Sequence, residues 1–110
     1  MLSLPFACPS WLNYLTTLHL IDVPVQQSGM QCILSGGLNL RSLKLFSCSL
    51  PRTLCIHLPL LKKLFIDDFL EDIGFNCPNL EVLEYSGRAV KMTFVHVPIL
   101  REVQVLLGFK

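Results

Sequence analysis

Leu40-Arg41-Ser42-Leu43-Lys44-Leu45, continued through Phe46 and Ser47 to Cys48 and Leu50, spells L-x-x-L-x-L-x-x-C-x-L. Its L-x-L portion alternates apolar and polar positions, the period of a strand with one buried face. Working outward, the same six-residue frame returns as LTTLHL at 15–20, LKKLFI at 61–66, LEVLEY at 80–85 and LREVQV at 100–105. The starts at 15, 40, 61, 80 and 100 are 25, 21, 19 and 20 residues apart. Asn39 and Asn79 stand just before the first leucine of their units, and Pro59, Pro78 and Pro98 come two residues ahead of theirs.

A frame of this shape recurring at the short end of about 20–29 residues is a leucine-rich repeat. One such strand cannot bury its leucines alone. Laid about 4.8 Å from its neighbours, it shares a continuous aliphatic ladder and pairs its backbone groups. The predicted fold is therefore an α/β leucine-rich-repeat solenoid. About five short parallel strands form a concave face about 20 Å across. The convex side mixes short strands, loops and little helix. Residues 1–110 read as one repeat segment.

The return segments differ from one another. In QQSGMQCILSG at 26–36, Met30, Ile33 and Leu34 fall at helical spacing, with Gly36 and Gly37 as a stop. A short helix is expected there. TLCIH at 53–57 and VKMTFVH at 90–96 alternate like outer strands, and LEDIGFNC at 70–77 suggests a single helical turn.

Composition narrows the function. The chain is 52% hydrophobic and only 15% charged, with a mean hydropathy of +0.55, against about 25% charge in ordinary globular domains. That implies a long continuous core, or apolar surface covered by sequence outside the chain. A net charge of +1 supplies no global field for nucleic acid or anionic lipid. The five cysteines, Cys8, Cys32, Cys48, Cys55 and Cys77, are odd in number and contain no C-x-x-C pair. Buried free thiols in a reducing compartment follow, and no N-x-S/T site occurs. The stretch before Asp22 is apolar. It lacks an initial Lys or Arg, however, and Pro5, Pro9 and five Ser, Thr and Asn residues interrupt it, which speaks against a leader or a membrane span. A cytoplasmic or nuclear protein is expected, with no membrane partner.

Asn76-Cys77-Pro78-Asn79-Leu80-Glu81-Val82-Leu83-Glu84-Tyr85 resembles the "CPNLE.L" unit of plant F-box/LRR proteins. Leu38–Leu45 and Pro59–Leu64 look like neighbouring units of that family, and the likeness covers residues 13–107. The resemblance implies the substrate-binding repeats of a receptor in a cullin-type ubiquitin ligase. Only fourteen residues precede the first unit, so a Skp-type adaptor and a cullin would enter only through an F-box outside this chain. Apolar residues also run to both ends: Leu2, Leu4, Phe6 and Trp11 at the start, and Val103 to Phe109 at the finish. Solenoids need polar caps there. The alternative expectation is thus a truncated or degenerate repeat fragment with only a structural role.

Binding residues are expected between the inward leucines of the concave strands. The central column is His19, Lys44, Phe65, Glu84 and Gln104. Thr17, Ser42, Lys63, Val82 and Glu102 flank it on one side, and Ile21, Phe46, Asp67, Ser86 and Leu106 on the other. Such a mixture of aromatic, cationic and anionic groups suits a protein or peptide target. Phe46 and Phe65 are the expected anchors, with Lys44 and Lys63 nearby for charge pairing. His19, Glu84 and Gln104 complete the candidate set. Other chemistry finds little support. Asp67, Asp68, Glu71 and Asp72 lack the glycine and spacing of a calcium loop and read as a solvated loop. His19, His57 and His96 lie on different units without metal-ligand spacing. There is no nucleotide or nucleophile-elbow motif, and the basic cluster of Arg41, Lys44, Lys62 and Lys63 is too small for a phosphate-tracking groove. Neither an enzymatic activity nor a cofactor is expected.

Overall fold

The computed structural model describes residues 8–108. A 3-10 turn at Ser10–Tyr14 leads into β1 (Thr17–Ile21), α1 (Gln26–Gly36), β2 (Ser42–Phe46), β3 (Thr53–Ile56) and β4 (Lys63–Asp68). β5 (Asp72–Asn76), β6 (Val82–Gly87), β7 (Lys91–His96) and β8 (Glu102–Leu107) follow. The strands alternate between two parallel sheets, in the orders β1-β2-β4-β6-β8 and β3-β5-β7. Each unit lays one strand in the first sheet and returns through the second layer, where the longest unit places α1 instead of a strand.

The predicted frame sets the register. Leu18, Leu43, Leu64, Leu83 and Val103 stand opposite one another across the first sheet, and so do Leu20, Leu45, Ile66, Tyr85 and Val105. The leading leucines Leu40, Leu61 and Leu80 are fully buried beside them. From the second sheet, Leu54 faces Ile73 and then Met92, while Ile56 faces Phe75 and then Phe94. The rings of Phe75 and Phe94 stack at 5.2 Å. One apolar core lies between the layers, as expected where neighbouring repeats bury each other's inner face.

The strand ends need special backbone. Asp22 and Ser47, one residue past β1 and β2, have φ of 56° and 54°. There their N–H groups still donate across the sheet, to Phe46 O and Asp67 O. Short polar side chains tolerate this left-handed region best among non-glycine residues. Gly87 takes the matching place at the end of β6 with φ 149°, and a Cβ there would lie 2.0 Å from Asp68 O. Only glycine fits. Gly37 stops α1 by donating its N–H to Ile33 O at 2.8 Å, and a Cβ there would press on Leu40 at 2.6 Å. Asn39 and Asn79 explain their recurrence. Each reaches back one unit from an exposed site, to Asn13 O at 2.6 Å and Pro59 O at 2.8 Å.

Four expectations change. Residues 70–77 hold strand β5, not a helical turn, because Ile73 and Phe75 continue the inward rungs of β3. The acidic run is not a solvated loop. Asp67 and Asp68 close β4 and Asp72 opens β5. Asp68 accepts from Leu50 N at 3.0 Å through one oxygen and from Phe69 N at 2.8 Å through the other. The cysteines are not all buried thiols either. Cys8 and Cys32 form a disulfide, with Cα atoms 5.3 Å apart, since α1 brings its buried Cys32 beside the start of the described chain. Cys48 and Cys77 are buried thiols, whereas Cys55 is exposed. Finally, Val103 and Val105 hold ladder positions yet remain 45% exposed, because β8 has a neighbour on one side only among the described residues. The apolar residues Leu2, Leu4, Phe6 and Phe109 lie outside the described residues.

Candidate interaction surface on the concave sheet

The alternation that sends leucines inward sends their neighbours to the open face of the five-stranded sheet. Strand pairing sets His19 beside Lys44, Lys44 beside Phe65, Phe65 beside Glu84, and Glu84 beside Gln104. The flanking columns align as the repeat predicts. Lys63 pairs with Ser42 and Val82, and Phe46 with Ile21 and Asp67.

The column is not uniform. His19 and Gln104 at its ends are exposed, as is Lys63, while Lys44, Phe46, Phe65 and Glu84 are half-buried. Phe46, Phe65, Glu84 and Gln104 come together around a shallow dimple, with Ser86 and Leu106 on its rim and Ile66 and Tyr85 beneath. Its enclosed volume is only about 50 Å³, room for a small side chain rather than a cofactor. Lys44 is held over Phe65, its Nζ 4.9 Å from the ring centroid. Such a contact contributes about 0.5–1 kcal/mol at an exposed site and pins the ammonium beside the aromatic anchor. The patch therefore runs from a cation at Lys44 through two aromatic rings to an anion at Glu84. Lys63 and His19 lie on the same sheet but outside the dimple.

The floor is rigid for a reason hidden in the repeat frame. Tyr85 replaces an inward leucine and is 1% exposed. Its hydroxyl donates a hydrogen bond shared between Arg88 O at 2.7 Å and Asp68 O at 3.2 Å, which ties the end of β4 to the turn after β6. Burial pushes the Tyr85 phenol above its ordinary range. Burial likewise raises the thiols of Cys48 and Cys77. Cys48 Sγ lies 3.3 Å from Leu20 O and from Phe46 O, and Cys77 Sγ 3.5 Å from Ile56 O, so both thiols point into the core. Raised, inward thiols are poor nucleophiles.

The sequence named the whole rim but neither Tyr85 nor Asp68 as supports. The aromatic residue in a leucine slot was the available signal for Tyr85. Asp68 had none, because its partner Leu50 N lies 18 residues away. Among the described residues, no three His, Cys, Asp or Glu side chains come together to hold a metal ion. No helix there is long and apolar enough to cross a membrane.

A family model described as the LRR domain of At1g61320/AtMIF1 matches residues 4–107. The chain belongs to this leucine-rich-repeat family. Comparison with individual characterised proteins and with solved structures gave no match. Membership agrees with the two-layer parallel solenoid and with the plant character of the resembling motif. Leucine-rich-repeat domains of this kind are typically protein-interaction modules, a use that an open sheet of mixed chemistry suits.

Proposed function

We propose that the concave sheet recognises a protein or peptide segment, with Phe46 and Phe65 as anchors. Lys44 and Lys63 pair with anionic groups of the target and Glu84 with a cationic one. His19 and Gln104 contribute polar contacts at the two ends. The observation that carries this reading is the dimple. Two half-buried rings, a ring-bound ammonium and a carboxylate converge on one rigid sheet, the mixture of anchors and polar rim found at contact hot spots. The chain itself performs no catalysis in this reading.

The finer reading is that these repeats form the target-binding part of an F-box/LRR receptor. It is supported by the Cys77-Pro78-Asn79-Leu80-Glu81 unit and its neighbours. Under it, the Skp-type adaptor and cullin engage an F-box outside this chain, and the protein acts in the cytoplasm or nucleus. The test is proximity labelling in plant cells with the wild type and with a Phe46→Ala/Phe65→Ala double variant. The proposal expects a discrete protein that is labelled by the wild type and lost by the variant. That protein should also live longer when cullin activation is blocked. A labelled set identical for both proteins contradicts concave recognition. A lost partner whose lifetime ignores cullin activity contradicts only the ligase reading.

A further inference from the structure

The lining of the concave dimple is unevenly charged. Glu84 is the one ionic side chain in it among the described residues, and Ser86 and Gln104 stand beside it as further hydrogen-bond acceptors. None of these three side chains takes part in a hydrogen bond or an ion pair among the described residues, where the ion pairs are Arg52–Glu71 and Arg101–Glu81. Phe46, Phe65 and Leu106 supply the apolar part of the wall. The floor is held by the buried Tyr85 hydroxyl, bonded to Asp68 O and Arg88 O.

The cations of the open face do not meet this demand. Lys44 lies on β2, two strands from Glu84 on β6, about 9.6 Å away at the usual strand spacing. Its ammonium rests over the ring of Phe65 instead. Lys63 stands in the flanking column, opposite Val82. Asp67, set between Phe46 and Ser86 on the same face, is a further carboxylate without an ion pair. The dimple is thus a half-enclosed acceptor site beside two carboxylates, with its own cation missing.

We infer, resting on the concave recognition proposed above, that the dimple takes the end of one lysine side chain from the bound segment. A lysine ammonium carries three donors, and Glu84, Ser86 and Gln104 offer three acceptors. Its methylene stem is apolar and lies along Phe46, Phe65 and Leu106. The enclosed volume of about 50 Å³ suits this compact head. A guanidinium is a broader planar fork with five donors, more than the acceptor side chains here can match. An aliphatic side chain would cover Glu84 and leave its charge unpaired, and an acidic one would oppose it. The lysine is therefore the residue by which the dimple tells one segment from another, while the two phenylalanines supply contact area.

The test titrates the full, isotope-labelled chain with capped pentapeptides Ser-Val-X-Val-Ser, where X is lysine, arginine, methionine or glutamate. The lysine peptide should shift the amide signals of Glu84, Ser86 and Gln104. It should bind about tenfold more tightly than the methionine peptide, as a charge-assisted hydrogen bond allows, and more tightly than the arginine one. Glu84→Gln should erase the preference over methionine without moving the melting temperature. Equal affinity of the lysine and methionine peptides, tighter binding of arginine, a preference that survives Glu84→Gln, or no shift at the dimple would each overturn the lysine assignment. Labelling in cells separates this failure from that of the wider reading. A partner lost with Phe46→Ala/Phe65→Ala but kept by Glu84→Gln would leave concave recognition standing and overturn the lysine alone. A partner kept by both variants would contradict both.

Discussion

The third rung of the solenoid and its last are the same position in the same frame, yet they live in different environments. Leu64 on β4 is fully buried between Leu43 and Leu83, whereas Val103 on β8 touches a partner rung on one side and stays 45% exposed. Their sequences, LKKLFI and LREVQV, carry the same signal. How deeply a rung is buried thus depends on its neighbours as well as on its own residues, the behaviour of a one-dimensional stack.

The largest effect should separate the two rungs. Leu64→Asp puts a charge into the ladder and is expected to abolish the cooperative thermal transition, while Val103→Asp keeps it, as circular dichroism will show. The gentler pair sharpens the contrast: Leu64→Ala should cost about 2–5 kcal/mol and Val103→Ala less than about 1 kcal/mol by denaturant titration. Equal losses at the two sites would mean that β8 is covered in solution.

The end of β6 comes next. Gly87→Ala should cost about 3 kcal/mol, because the new Cβ meets a carbonyl oxygen and the backbone sits at positive φ. Tyr85→Phe should cost about 1–2 kcal/mol by leaving the carbonyls of Asp68 and Arg88 without their buried donor.

Alkaline pH probes the same buried interior. The thiols of Cys48 and Cys77 are raised by burial above their ordinary 9.0, and the Tyr85 phenol above 10.0. Above about pH 9 the unfolded chain loses these protons first, so their contribution is intact below that pH and fades as pH rises. The denaturation midpoint should therefore fall between pH 8.5 and 10, and the fall should shrink in a Cys48→Ala/Cys77→Ala variant. The smallest stability effect belongs to the open face. Phe65→Ala should shift stability by less than about 1 kcal/mol while weakening partner binding; a larger loss would mean that the ring is core.

What could be read beforehand follows from the range of each interaction. The concave strands and their register were legible because aliphatic alternation is a local pattern that stacking preserves. α1 was legible from Met30, Ile33 and the glycine stop. Strand β5 was obscured by Gly74 and the surrounding acidic residues, although Ile73 and Phe75 already alternate; their pairing with Leu54 and Ile56 decides the matter. The Asp68 latch and the Cys8–Cys32 bond join residues 18 and 24 apart without any spacing motif, so only the folded geometry reveals them. The rim of the dimple was legible in full as columns. Its convergence around Phe46, Phe65, Glu84 and Gln104 depended on how deeply each side chain sits, which periodicity does not encode.

The most direct test of the stacked-rung account is a methyl NOE experiment on the full chain with labelled leucine and valine. The account predicts cross-peaks linking Leu18 to Leu43, Leu43 to Leu64, Leu64 to Leu83 and Leu83 to Val103, since adjacent parallel strands lie about 4.8 Å apart. It predicts none between Leu18 and Leu83, three strands away. A spectrum in which consecutive rungs show no contact, while each is well resolved, would contradict it.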